Sequence, residues 1–422
     1  MAEDIVLDDL AHPRFTPDVA ELLSAGASLA GSVAFEPEPL CDAAMAETGL
    51  DDFGPDSWRE PFEVLLRSLR EEADLGAMGR VAIGVQISQL LRNRLLLVDL
   101  LNREPAIDGG AIRQPVVICG LPRTGTTHLH NLLAADPRLR SLPWWEALEP
   151  IPRPDERGVA GTPDDPRRAR TAGALVTQDA VLPHFKAMHE MTVSHVHEEI
   201  HLLALEFCTM FFDTLAPMPR WRAWYRNHDH RPHYEFLRTT LAAIDHLRAR
   251  EGRTAGERWV LKSPQHLEQF PVLADVFADA TFVVTHRDPG SVALSLAGML
   301  AYVARLHFDP PVPVRRIAGY WNEVVPQMLE SARANRDALG ERSVDIRFDD
   351  FTADQGSAVD AIYSVAGLPL TEEARSAHAA YEVEHRQHRH GRVRYDLVAD
   401  ELGVDPAAQR AAAAAYCARF AV

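Results

Sequence analysis

From Trp58 to Leu75 the chain reads WREPFEVLLRSLREEADL, and from Gly84 to Leu101 it reads GVQISQLLRNRLLLVDLL, with Leu, Ile and Val recurring at three- and four-residue spacings. That period predicts amphipathic helices, and no strand pattern interrupts residues 1 to about 112. The pattern changes at PVVICG, residues 115–120, a short apolar run that ends in glycine and is followed by a helix beginning near Thr126. Three more β-branched runs follow, RWVLKS at 258–263, TFVVTH at 281–286 and SVDIRFDD at 343–350, each with a helical pattern behind it.

Strands that alternate with helices predict parallel pairing through crossover connections, so the expected fold is α/β, with ligands at the carboxyl ends of the strands. A mainly helical insert of about 144–255, carrying EPIPRPDERG and GTPDDPRRAR, separates the first two strands and is placed to shape an acceptor site. The alanine-rich end, DPAAQRAAAAAYCARF, predicts a closing helix. The division expected is an N-terminal helical region, 1–112, and an α/β domain, 113–422.

Composition narrows the function. With 46% hydrophobic and 25% charged residues the chain is an ordinary globular one, and its formal charge of −18 disfavours nucleic acid as a partner. Cys41, Cys119, Cys208 and Cys417 show no disulfide or zinc-knuckle spacing. The acidic start MAEDIVLDDL is not a secretory leader, and no apolar run approaches a membrane span, so a soluble cytoplasmic protein is expected. Among 43 basic residues, lysine occurs only at Lys186 and Lys262.

The chemistry begins at GLPRTGTT, residues 120–127. A nucleotide-triphosphatase loop reads G-x-x-x-x-G-K-[ST]. Gly120 and Gly125 keep that separation, but Thr126 stands in the lysine position and the basic residue lies inside the loop at Arg123. The amides of 124–127, the helix N-terminus and the hydroxyls of Thr126 and Thr127 still form an anion nest. Without the lysine, or an acidic strand end for magnesium, this nest suits a terminal phosphate or phosphosulfate better than a magnesium triphosphate.

The run Pro122, Arg123, Thr124, Gly125, Thr126, Thr127 resembles the phosphosulfate loop of the sulfotransferase family, in the bacterial branch that carries arginine there. The resemblance implies a P-loop-like parallel sheet flanked by helices, 3′-phosphoadenosine 5′-phosphosulfate (PAPS) as co-substrate, and no metal. THRDPGSVALS matches the family's second motif, implying that Arg287 and Ser295 bind the 3′-phosphate. WVLKSPQHL resembles the strand that ends in a catalytic lysine, here Lys262. Phe348 occupies a position where relatives often carry a tyrosine near the adenine, and in RQHRHGRVRYDL Arg389 and Arg392 are candidates for a basic lid.

Sulfuryl transfer to a hydroxyl or amine also needs a base. Many animal relatives have a histidine two residues beyond the strand lysine, where this chain has Pro264; His266, Glu198 and Glu199 are the alternatives. The acceptor expected is a small molecule, lipid or carbohydrate, and Trp144, Trp145, Trp221, Trp224 and Tyr225 suggest an apolar pocket, although such residues also build cores. Oligomeric state is silent. Two other enzyme readings remain: a magnesium-nucleotide kinase, and a zinc hydrolase built on His197, Glu198 and His201 of HVHEEIH, provided that segment is one helix.

Overall fold

In the computed structural model, residues 3–253, 256–386 and 389–422 are described. The four apolar runs and one short segment form five strands: β1 (Val116–Cys119), β2 (Leu139–Arg140), β3 (Arg258–Lys262), β4 (Thr281–His286) and β5 (Ser343–Arg347). They lie in the order β2-β3-β1-β4-β5, every neighbouring pair parallel. The helices that frame the site are α1 (Arg59–Glu71), α2 (Ala77–Arg103), α3 (Thr126–Ala134), α4 (Arg231–Arg250), α5 (Pro289–Val303), α6 (Val314–Asn335) and α7 (Gln355–Ala366).

Strand side chains alternate between two cores. Val116 and Ile118 of β1, Val260 of β3 and Val283 of β4 face Leu129, Leu132 and Leu133 of α3 and Val359 and Ile362 of α7. Val117, Cys119, Leu261, Phe282 and Val284 point the other way, into a cluster shared with α1, α2, α4, α5 and α6. Burial on both faces is why these runs are continuously apolar rather than alternating. Burying each β-branched side chain contributes about 1.5–3 kcal/mol, which fixes the strand ends where the chemistry sits.

The structure departs from the sequence reading in three places. The fourth run was expected as strand to 350, but it ends at Arg347 and Phe348 opens a short helix, Phe348–Ala353, with Asp349 and Asp350 in its first turn. The N-terminal region was expected to lack strand, but Asp4–Ile5 pairs in parallel with Arg392–Val393. Two helices, Ala77–Arg103 and 289–306, are long and apolar enough to cross a bilayer by length and composition, against the expectation of none. Of their apolar windows 61% and 72% are buried inside the fold, so these surfaces serve the protein core.

Candidate active site

β1 delivers the chain to a turn that only glycine can enter. A Cβ on Gly120 would lie 1.9 Å from Thr285 Oγ1 and 2.9 Å from Thr126 Cγ2, so β4 passes against the bare backbone. Arg123 adopts φ 72° and Gly125 φ 82°, folding the loop over the start of α3. The Thr124 hydroxyl donates to the Leu121 carbonyl at 2.7 Å and shares a hydrogen bond with Thr285 Oγ1 at 2.8 Å. It braces the loop, leaving the Thr124 amide as its contribution to an anion. Thr126 is buried, and Pro122 and Thr127 are half-buried.

Two arginines meet on this loop. Arg287, the residue after β4, donates from Nη1 to the Arg123 carbonyl, and its guanidinium lies 3.9 Å from the centre of the Phe348 ring. Arg123 donates from Nε to Ser295 Oγ at 2.9 Å and from Nη1 to the Met188 carbonyl at 2.5 Å. Burial and the charge of Arg123 together pull Arg287 below the usual arginine value. Two like charges held beside a helix N-terminus form a site that an anion relieves. Asp288 caps α5 by accepting the Ser291 amide at 2.8 Å, which sets the helix that presents Ser295.

At the end of β3, Lys262 is only 2% exposed. Its Nζ donates to Glu198 and to Thr127 Oγ1 at 3.3 Å, joining the strand end to the anion loop. Glu199, the next residue along, has a different position. Its Oε2 accepts the Lys262 amide at 2.9 Å, its Oε1 accepts from His266 Nε2 at 2.5 Å, and the side chain is buried. His266 Nδ1 in turn meets the Tyr234 hydroxyl of α4 at 2.9 Å. Burial opposes ionisation of Glu199, but the His266 hydrogen bond and charge and the Lys262 amide outweigh it and hold the carboxyl below its ordinary range.

The adjacent glutamates therefore separate into an accessible one on Lys262 and a buried one that positions Lys262 and His266. Both ring nitrogens of His266 are engaged and the ring is 1% exposed.

HVHEEIH is not the single helix that a zinc site needs. Val196–His197 is strand, paired with Leu142–Pro143, and the helix spans only Ile200–Leu203. His197 Nε2 and His201 Nδ1 are hydrogen-bonded at 3.1 Å, while Glu198 is taken by Lys262. Arg389 pairs with Glu190 at 2.5 Å, and Arg392 is exposed on the segment paired with Asp4. Trp145, Trp221 and Tyr225 are buried as core, and Trp224 bonds Glu60 at 3.1 Å; Trp144 is half-buried against His197. Tyr395, not anticipated from the sequence, lies 5.9 Å from the Arg123 guanidinium. Its signal was present only as an aromatic residue in the basic segment 386–397.

Residues 115–372 match the family model described as "Sulfotransferase family", a span that holds the loop, Lys262, Arg287, Ser295 and Phe348. The chain belongs to the sulfotransferase family. This sulfotransferase is 27% identical to sulfotransferase STF1 from Mycobacterium tuberculosis H37Rv, with 90% of this chain and 99% of that one covered and a TM-score of 0.74. It also shares the fold of sulfotransferase STF9 from Mycobacterium avium, at 23% identity, 91% and 96% coverage and a TM-score of 0.78. None of the curated proteins matches it. Sulfuryl transfer is thus the general reaction of the sulfotransferase, and the α/β architecture read from the strand pattern holds.

Proposed function

We propose that the protein transfers a sulfuryl group from PAPS to a hydroxyl, or less often an amine, of a small-molecule, lipid or carbohydrate acceptor in the cytoplasm, with Glu198 as the base. The observation that carries this reading is Lys262, whose ammonium reaches both the anion loop at Thr127 and the accessible carboxylate of Glu198. The loop amides with Thr126, Thr127 and Arg123 would hold the 5′-phosphosulfate, while Arg287 and Ser295 would hold the 3′-phosphate and Phe348 would flank the adenine. The paired guanidiniums and the glycine cradle support that fit. Bound there, the donor supplies the sulfuryl group and a bisphosphate leaving group.

Lys262 neutralises charge that builds on the oxygens around the transferred group, and a compact ammonium is suited to a single bridging oxygen. Glu198 takes the acceptor proton once Lys262 turns towards the donor. Glu199 and His266 keep their places and act through Lys262, holding its backbone at the sheet edge. Arg389 would reach the donor only by leaving Glu190, and Arg392 is exposed on the segment paired with Asp4, so the reading rests on neither.

Calorimetric titration with adenosine 3′,5′-bisphosphate and with ATP, each without and with magnesium, tests the proposal. Magnesium-independent binding of the bisphosphate, weakened at least tenfold in Arg287→Ala, is expected. Preference for magnesium-ATP would overturn the donor assignment and return the kinase reading.

A further inference from the structure

The segment HDHRPH, which runs into the first turn of α4, brings His228, His230 and His233 close to Cys208. One ligand atom each from Cys208, His228 and His233 lies within 4.8 Å of the other two. His228 Nε2 and His233 Nε2 are 3.1 Å apart, and His230 Nδ1 is 3.7 Å from the Cys208 sulfur. Cys208 and His233 are fully buried, His230 is 2% exposed and His228 is half-buried, so the cluster has one side near solvent.

We propose that Cys208, His228 and His233 bind a structural zinc ion. The sulfur and imidazole donors are those that zinc takes in closed tetrahedral sites. With Zn–N of about 2.0–2.1 Å and Zn–S of about 2.3 Å, a tetrahedron has N···N edges of about 3.3 Å and N···S edges of about 3.6 Å. The 3.1 Å between His228 Nε2 and His233 Nε2 is close to the first value, and the Cys208 sulfur lies within 4.8 Å of both histidines' ligand atoms.

The surroundings orient the ligands. Glu206 Oε2 accepts the Nδ1–H of His233 at 2.8 Å, and the Tyr225 carbonyl accepts the Nε2–H of His230 at 2.8 Å. The Glu206 bond fixes the His233 tautomer that leaves the Nε2 lone pair facing His228, the pattern of a carboxylate partner behind a zinc-bound imidazole, while His230 stands beside the Cys208 sulfur. Glu206 is itself held by Ser57 at 2.6 Å and by the buried Arg94. On binding, the Cys208 S–H bond breaks, a sulfur–zinc bond forms, and the proton leaves to solvent. No electron transfer is involved.

The position explains what such an ion does. It ties the 204–214 segment to the first turn of α4, whose next residue, Tyr234, holds His266. The ion's link to the site therefore runs through Tyr234 and His266.

The test is metal analysis of the full chain purified without an affinity tag after growth with added zinc, followed by chelation and titration with cobalt(II). About one zinc per chain is expected, reduced at least tenfold in Cys208→Ser and in His233→Ala and retained in His201→Ala. The cobalt-loaded wild-type chain should show tetrahedral visible bands and a thiolate-to-cobalt charge-transfer absorption. Because that spectrum uses the unaltered chain, misfolding of a variant does not remove the test. A wild-type chain that takes up neither zinc nor cobalt, cobalt binding without the thiolate band, or zinc content unchanged by Cys208→Ser would each overturn the proposal.

Discussion

Glu198 and Glu199 are consecutive, yet one peptide unit gives them opposite surroundings. Glu198 meets the Lys262 ammonium at the edge of the site, whereas Glu199 is 1% exposed with both oxygens engaged. Replacing Glu198 with glutamine should lower kcat by about 10²- to 10⁴-fold, the range for loss of a positioned base. Bisphosphate affinity measured by calorimetry should stay within about threefold, because the donor contacts lie on other residues; a parallel loss of binding would make Glu198 a donor ligand instead. Glu199→Gln should destabilise the fold by about 1–3 kcal/mol near neutral pH, read by urea denaturation, since a buried charged hydrogen bond is lost. The folded-state pKa of Glu199 lies below its ordinary 4.5, so its stabilisation is complete above that value and fades as pH falls through the folded value. The gap between wild type and variant should therefore narrow in acid; a gap that widens below 4.5 would contradict the hydrogen-bond assignment.

Elements of the sheet explain which parts of the site could be read in advance. The β1, β3 and β4 ends could be read because each apolar run stops at a residue of the proposed site, Gly120, Lys262 and Arg287, and parallel strands bring such ends to one edge. The choice between Glu198, Glu199 and His266 was not visible, because burial depends on α4 and on Tyr234, remote in sequence. Two-residue pairings such as Asp4–Ile5 with Arg392–Val393 are too short to show a period. The Cys208 cluster escaped notice because a lone cysteine with histidines about twenty residues away matches no cysteine spacing. At the loop, Gly120→Ala should cost about 1–3 kcal/mol or more, since Thr285 Oγ1 belongs to a strand that cannot retreat freely. Adding Thr285→Ala should recover part of that loss in a double-mutant cycle; additive losses would show that the turn's backbone, not the contact, demands glycine.

Across the whole molecule, one apolar cluster runs from Leu7 to Tyr416, and α2 contributes to it along most of its length. Arg94 of α2 lies at the centre, donating to the Phe53 carbonyl at 2.8 Å, the Leu205 carbonyl at 3.1 Å, the Pro55 carbonyl at 2.9 Å and the Glu206 carboxylate. Arg94→Met should destabilise by about 3–5 kcal/mol, because Glu206 is left as a buried charge. Arg94→Met with Glu206→Gln should be less damaged than Arg94→Met alone, and equal losses in equilibrium denaturation would show that packing rather than charge is responsible. Leu7, Phe62 and the α2 leucines lie in the same cluster as Val117 and Leu261 of the sheet, and we propose that the N-terminal helical region does not fold on its own.

The pairing of Asp4–Ile5 with Arg392–Val393 has a consequence in time. Residues 4–5 cannot pair until residues 392–393 have been made, and closing so long a loop delays the contact with little reward until both partners are present. The contact that sets Tyr395 beside Arg123 then settles after the sheet, so a chain can hold its sheet and its Gly120–Gly125 turn before this corner of the proposed site is complete.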